Sequence, residues 1–224
     1  MDLLDAMKGR FSARAFLEKP VPRETIHGLL DAARWAPSGT NTQPWEVAVV
    51  TGEARQAICE RMVAAFTAGE ESRIDYRYYP EHFTEPFRSR RFACGMALYE
   101  ALQIERTDRE RRKEQWIKNY RGFDAPVELF IFIDGAMEKG SWIDTGMFVQ
   151  NVMLAARGFG LETCPQAAMA EYPDIVREVL GIPESQKLVC GIAVGFADME
   201  DPVNQYRTER EEVDGFTRWH GFEG

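Results

Sequence analysis

"WIDTGMFVQNVMLAARGFGLETCPQ", Trp142 to Gln166, is the stretch on which the fold turns. Met147, Phe148, Val149, Val152, Met153 and Leu154 recur too densely to share one narrow stripe, so Trp142 to Gly160 predicts a helix that is apolar around much of its circumference. Such a helix is buried on several sides, either in a large core or at a subunit interface, and Gly146, Ala155 and Ala156 allow close approach. "GFG", Gly158 to Gly160, reads as its C-terminus, and "LETCP" follows as a strand. No strand precedes these glycines and no helix follows them, so they are not a dinucleotide fingerprint.

Outward from this core, "KLVCGIAVGF" (187–196), "VELFIFI" (127–133) and "WEVAVV" (45–50) read as buried strands. Helices are expected over Asp2 to Lys8, from Pro22 to Ala36 with Ile26, Leu29, Leu30 and Ala33 on one face, over Glu53 to Ala68, and over Pro173 to Leu180. Between Glu70 and Asp124 the chain becomes rich in Arg, Tyr and Phe. Within it "TDRE", Thr107 to Glu110, has capping-box spacing and opens a helix through Lys118. With no repeat and no linker, the pattern is one α+β domain over residues 1–224 carrying a helical excursion over about 70–124. The polar stretch after Pro202 has little core of its own and is expected to lie across another part of the molecule.

The 224 residues are 45% hydrophobic and 28% charged, as in soluble globular proteins, and the net charge of -9 argues against nucleic-acid binding. Cys59, Cys94, Cys164 and Cys190 form no CxxC pair, and His27, His82 and His220 have no ligand-like spacing, so no disulfide framework and no metal site is expected. No apolar run follows a basic cluster, and none approaches the ~20 residues of a membrane span; a cytoplasmic protein without a membrane partner is expected.

Two strings carry chemistry. In "GRFSARAF", Gly9 to Phe16, Arg10, Ser12 and Arg14 occupy every second position, so an extended backbone points all three the same way. Two guanidinium forks and a hydroxyl suit a phosphate or carboxylate; a solvated basic N-terminus is the plainer reading. "APSGTNTQPW", Ala36 to Trp45, offers backbone amides, a hydroxyl and two carboxamides, which suit a planar hydrogen-bonding ligand; a rigid turn explains Gly39 and Pro44 equally.

With "DTGMFVQNVMLAARGFGLETCPQ", "LGIPESQKLVCGIAVGF" and the closing Pro-x-Asn followed by arginines, these strings resemble the nitroreductase family of flavin enzymes over essentially the whole chain. The resemblance implies a central, mostly antiparallel sheet flanked by helices, in an intertwined homodimer with FMN at the subunit interface. It implies that Arg10, Ser12, Arg14 and the late Arg210, with Arg207 as a second candidate, hold the phosphate and ribityl chain. Pro37, Ser38, Gly39 and Asn41 would reach the flavin from the partner subunit. Pro165, Gln166, Ala167 and Ala168 would bring backbone amides to its N5 and O4, the two alanines standing where the family often has glycine. Asn119 would bond the pyrimidine end.

No side chain is implied as catalytic. NADH or NADPH would reduce the flavin at N5 and leave, and an aromatic nitro compound would then take the electrons and become a hydroxylamine, a ping-pong cycle. "YRYYPEHFTEPFRSRR" and "KNYRGFDAP" resemble the branch acting on nitrobenzoates, with Tyr78, Tyr79, Phe83, Phe87 and Tyr120 either stacking on a ring or packing the excursion onto the body. Arg88, Arg90, Arg91, Arg109, Arg111 and Arg112 form either a solvated face or a basic mouth for NADPH or an anionic substrate. Other reductive flavin chemistry, such as flavin reduction or dehalogenation, and a non-catalytic flavin-binding protein are the competing readings.

Overall fold

The computed structural model describes residues 1–222; the last two residues of the expected domain, 223 and 224, lie outside it. At its centre is strand β2 (Val127–Asp134), buried from Val127 to Ile133. Val127, Leu129 and Ile131 enter the apolar cluster on one face of the sheet, while Phe130 and Phe132 enter the cluster on the other. A strand sealed on both faces needs a neighbour on each side and a helical layer above and below. β1 (Trp45–Val50) and β4 (Gln186–Gly195) flank it, and β3 (Glu162–Gln166) pairs outside β4. The order is β1-β2-β4-β3, antiparallel throughout.

β1 departs from its expected burial. It is an edge strand with Glu46 and Val49 exposed, because only one side has a neighbour and the helical cover is incomplete there. Its Trp45 ring stacks on Phe148 at 4.7 Å and so ties the edge to the helical layer.

That layer consists of α2 (Arg23–Ala33) and α6 (Lys139–Gly158), whose Ile26, Leu29, Phe148, Val152 and Ala156 cover one face of the sheet; α1 (Leu3–Gly9) rests on α6. α2 stops at Ala33, three residues before the proline-based expectation; Arg34 caps it with its N–H on the Leu30 carbonyl, and Trp35 and Ala36 turn away. α6 ends as expected. Leu161 N–H returns to the Ala156 carbonyl and Gly160 N–H to that of Arg157, with Gly160 in the left-handed region at φ +71°. Helices α3 (Gly52–Ala68), α5 (Arg109–Tyr120) and α7 (Pro173–Leu180) cover the opposite face with Ile58, Met62, Tyr120 and Val176.

The excursion is pinned at its root. The β2–β4 register shifts between Ile131 and Phe132, where Val189 is skipped, and the Tyr76 hydroxyl donates to the Val189 carbonyl at 2.6 Å. Next to it, buried Asp75 accepts from the Leu188 N–H at 2.9 Å and pairs with Arg177 at 2.7 Å. Beyond this root, α4 (Phe87–Ala101) has no buried residue. The cap of α5 is Asp108 rather than Thr107, its carboxylate accepting from the Arg111 N–H at 3.1 Å, and the helix runs two residues past Lys118. Tyr120 is wholly buried, donates to Glu171 and accepts from the Trp116 indole; it belongs to the core and offers no ring to a ligand. Among the described residues no helix is long and apolar enough to cross a membrane, and no group of His, Cys, Asp and Glu could hold a metal ion.

One core position is polar. Glu128 on β2 is 1% exposed, and neither carboxyl oxygen has a hydrogen-bond partner among the described residues. It fits because position 191 is glycine: a Cβ there would lie 2.6 Å from Glu128 Oε1. Burial pushes its pKa up to about 8 against the pull of Arg55, so the carboxyl is largely protonated at neutral pH. The unfolded chain ionises this group near its ordinary value of ~4.3, so between about pH 4.5 and 8 only the folded state keeps the proton. Stability from this group is therefore complete at low pH and is lost as pH rises through that window, by about 1.4 kcal/mol per pH unit, or about 3 kcal/mol between pH 5.5 and 8.5. Chemical denaturation at pH 5.5 and 8.5 is expected to show the decline, and Glu128→Gln is expected to remove most of it; an equal decline in both proteins would contradict a protonated Glu128.

Candidate functional site

Beyond α1 the backbone straightens at Arg10 (φ -62°, ψ 134°). Ser12 then forms a parallel bridge to Thr163 of β3, and the Ala13 N–H donates to the Thr163 carbonyl at 3.0 Å. Ala13 is fully buried. With that residue plugged inward, Arg10, Ser12 and Arg14 all line one cavity of about 700 Å³, as the alternation predicts.

The C-terminal stretch crosses this segment. Buried Asn204 accepts from the Arg14 N–H at 2.8 Å and donates to the carbonyls of Ala15 and Asp198 at 2.8 and 2.7 Å. That clamp brings Tyr206, Arg207, Thr208 and Arg210 to the same cavity. The Arg14 guanidinium donates to the Tyr206 hydroxyl at 3.1 Å, Arg207 stacks over Phe11 at 4.1 Å, and Arg210 donates to the Thr208 hydroxyl at 2.8 Å. The polar tail thus lies across the N-terminal strand, which accounts for its lack of a core.

Lys8, Arg10, Arg14, Arg207 and Arg210 line the cavity, and no carboxylate does. Burial and the facing charge of Arg210 lower the Arg10 pKa, with Glu162 opposing; Glu162 itself is paired to Arg157 at 3.1 Å. Like charges held together in a part-desolvated cavity are relieved by an anion, and guanidinium forks bind phosphate oxygens in pairs. The thiol at the cavity wall is Cys94, and among the described residues no histidine or carboxylate lines the cavity to serve as its base. Cys164 is buried and its thiol is pushed up to about 11, chiefly by burial, so it stays protonated at neutral pH.

The other expected residues fall into two groups. Pro165 and Gln166 end β3 beside the Ser12–Thr163 bridge, and Ala167 and Ala168 begin the turn that follows. Neither alanine has a positive φ, so their methyl groups are tolerated where glycine is common. The Gln166 amide donates to the Asn119 carbonyl at 2.7 Å, while the side chain of Asn119 donates to Trp116. The buried Gln166 Oε1 has no partner among the described residues. Pro37, Ser38, Gly39 and Asn41 do not line the cavity. Their loop is held in a tight turn by Gln43 N–H on the Ser38 hydroxyl (2.9 Å) and Gly39 N–H on Asp144 (3.1 Å). Thr40, Asn41 and Gln43 stand in the left-handed region at φ 49°, 60° and 48°, a strained run for side-chain-bearing residues. On α6 beside this loop, Ile143, Gly146, Met147, Gln150 and Leu154 form a stripe that no element fully covers, with Ile143 68% exposed.

Lys8, Phe11, Gln150, Tyr206, Thr208 and the anchoring Asp144 were not among the expected site residues. Gln150 had a signal, a polar residue inside the apolar run "MFVQNVML". The others had none, because their placement depends on the Asn204 clamp and the end of α1.

Residues 7–196 match the sequence pattern described as "Nitroreductase family". The chain is 38% identical over 214 residues to 4-nitrobenzoate reductase of Pseudomonas putida, covering 96% of this chain and 93% of that protein. It is likewise 38% identical over 214 residues to nitrobenzene nitroreductase of Ectopseudomonas oleovorans, covering 95% and 94%. Among solved structures it is similar to the FMN and NADPH-dependent nitroreductase NfnB of Sphigopyxis sp. strain HMH, with TM-score 0.97, 42% identity and coverage of 99% and 100%. The FMN-dependent nitroreductase NfnB of Mycobacterium smegmatis, solved in complex with NADPH, matches at TM-score 0.92 and 35% identity, covering 97% of each chain.

Of the four cysteines, Cys94 is exposed at the cavity wall and Cys59, Cys164 and Cys190 are buried. A thiol-specific chromogenic disulfide is expected to modify Cys94 rapidly in the native protein and the other three only after denaturation. Cys94→Ser should abolish the rapid phase; a rapid phase that survives it would contradict the burial of the rest.

Proposed function

The chain belongs to the nitroreductase family, and on that premise we propose that it is an FMN-dependent oxidoreductase that uses NAD(P)H to reduce aromatic nitro compounds to hydroxylamines. The cavity lined by Arg10, Ser12, Arg14, Arg207 and Arg210 with no carboxylate is the observation that carries the cofactor reading. Its donor set fits a dianionic phosphate on a polar chain, and the unpartnered Gln166 Oε1 beside β3 fits a ligand with N–H donors. When bound, FMN supplies a two-electron carrier reduced by NAD(P)H and reoxidised by the nitro compound, so that two reductant molecules take a nitro group through the nitroso stage.

The chain's own part is binding and orientation. Arg10, Arg14 and Arg210 neutralise the phosphate, Ser12 adds a hydrogen bond, and Arg207, stacked on Phe11, closes the rim. The backbone N–H groups of Gln166, Ala167 and Ala168 would face the electron-accepting edge of the ring and there stabilise developing negative charge, while Pro165, which has no N–H, shapes the chain into them. Asn119 acts through Gln166, whose amide it holds. Pro37, Ser38, Gly39 and Asn41 complete the site of a second copy of the chain. Their separation from this chain's own cavity and the uncovered α6 stripe both support a homodimer. We read residues 1–224 as one FMN-binding unit acting in the cytoplasm, where reduced nicotinamide nucleotides are produced. Nitrobenzoate-type aromatics are the substrate class, as the names of the relatives suggest; those names favour nitro reduction over dehalogenation or flavin reduction.

The purified protein is expected to show a flavin absorption band that bleaches with NADPH without air and returns on adding 4-nitrobenzoate. A band that stays oxidised under NADPH would overturn the redox reading, and no band after adding FMN would overturn the cofactor. Arg10→Ala is expected to weaken FMN binding by about 1.5–3 kcal/mol, the range for hydrogen bonds to charged groups, or roughly 10- to 150-fold in Kd. Unchanged FMN affinity would remove Arg10 from the phosphate site.

A further inference from the structure

Helix α4 borders two cavities. Its Cys94 lines the one assigned above to FMN, and residues on either side of it, from Arg88 to Tyr99, line a separate one of about 450 Å³ between α4 and α5. The walls of this second cavity are aromatic, with Phe83, Phe92 and Tyr99, and its rim holds Arg88, Arg91, Arg106 and Arg112. No carboxylate lines it, in a chain whose net charge is -9.

Arg88 is neutralised by Glu85 at 2.7 Å. Arg91, Arg106 and Arg112 have no ion-pair partner among the described residues. Arg91 lies over the Phe83 ring and Arg112 over the Tyr99 ring, each at 4.8 Å, which fixes the planes of two forks while leaving N–H edges free. Arg112 donates one of its N–H groups to the Arg106 carbonyl at 3.1 Å, so these two residues are held beside each other.

A single carboxylate cannot engage three such groups, whereas a phosphomonoester dianion presents three terminal oxygens to them. The flat apolar walls suit a planar base beside that phosphate. The proposed reaction calls for two phosphate-bearing nucleotides, and FMN accounts for only one of the two basic cavities.

We propose that the α4–α5 cavity binds the adenosine 2′-phosphate end of NADPH and thereby makes the enzyme select NADPH over NADH; this rests on the flavin reductase reading. NADPH differs from NADH only in that phosphate, so the selectivity resides in Arg91, Arg106 and Arg112, with Phe83, Phe92 and Tyr99 receiving the adenine.

The test uses the FMN-loaded protein. By titration calorimetry, adenosine 2′,5′-bisphosphate is expected to bind at least tenfold more tightly than adenosine 5′-monophosphate. The double variant Arg91→Ala/Arg106→Ala, at two exposed positions, is expected to lose that preference. It should also lower the NADPH-to-NADH ratio of kcat/KM at least tenfold through a raised KM for NADPH, with FMN content serving as the check on folding. Equal binding of the two mononucleotides by the unaltered protein, or a preference that survives in the FMN-loaded variant, would overturn the assignment. If the flavin bleaches with either nucleotide while the variant behaves like its parent, the cavity is wrong and the reductase reading stands. If neither nucleotide bleaches bound flavin, the reductase reading falls and this assignment falls with it.

Discussion

The burial of β2 on both faces is the constraint on which the rest of the molecule depends. Leu129 and Ile131 on one side and Phe130 and Phe132 on the other leave no face for solvent, so the strand demands two neighbours and two helical layers. Once α2 and α6 fill one layer and α3, α5 and α7 the other, β3 is left at an edge, with one side free. That free edge takes the N-terminal segment through the Ser12–Thr163 bridge. The basic cavity is therefore built where the sheet ends, by chain segments that the sheet's own pairing leaves available.

Charge concentration in that cavity follows from two anchors that are themselves neutral. Ala13, buried without remainder, sets the direction of the residues on either side, and Asn204, also buried, spends its amide group on Arg14, Ala15 and Asp198. The guanidinium groups are carried along by this backbone geometry, so their mutual repulsion is borne by the fold until an anion offsets it. Binding energy toward a phosphate is thereby preorganised before the ligand arrives.

A single chain leaves several surfaces unfinished. α4 buries no residue, the α6 stripe from Ile143 to Leu154 is uncovered, and Phe216 and Trp219 near the C-terminus are largely exposed. The loop after α2 holds three residues in left-handed geometry, fixed by Ser38 and Asp144, yet lines neither of the two basic cavities. Strain and exposed apolar surface in the same region are coherent in the homodimer proposed above, in which that loop serves a neighbouring site.

Much of this was legible in the residues. The strand positions of "WEVAVV" and "VELFIFI" and the helix of Pro173 to Leu180 follow from local pattern, because apolar periodicity and proline act within a few residues. The alternation of Arg10, Ser12 and Arg14 also foretold their common direction, since an extended backbone needs no distant partner to set it. Other features were hidden because they depend on neighbours far along the chain. That "WEVAVV" is an edge strand, that Tyr120 is core, and that Asn119 turns its amide to Trp116 are outcomes of packing. The sequence by itself determined most of the elements, though not α4, together with the order of the sheet's apolar strands along the chain and the direction of the opening arginines. Only the tertiary structure decided which strand lay at the edge, which tail residues joined Arg10 and Arg14, and that α4 borders a second basic cavity, because each requires surfaces more than a hundred residues apart, or the two excursion helices, to meet in space.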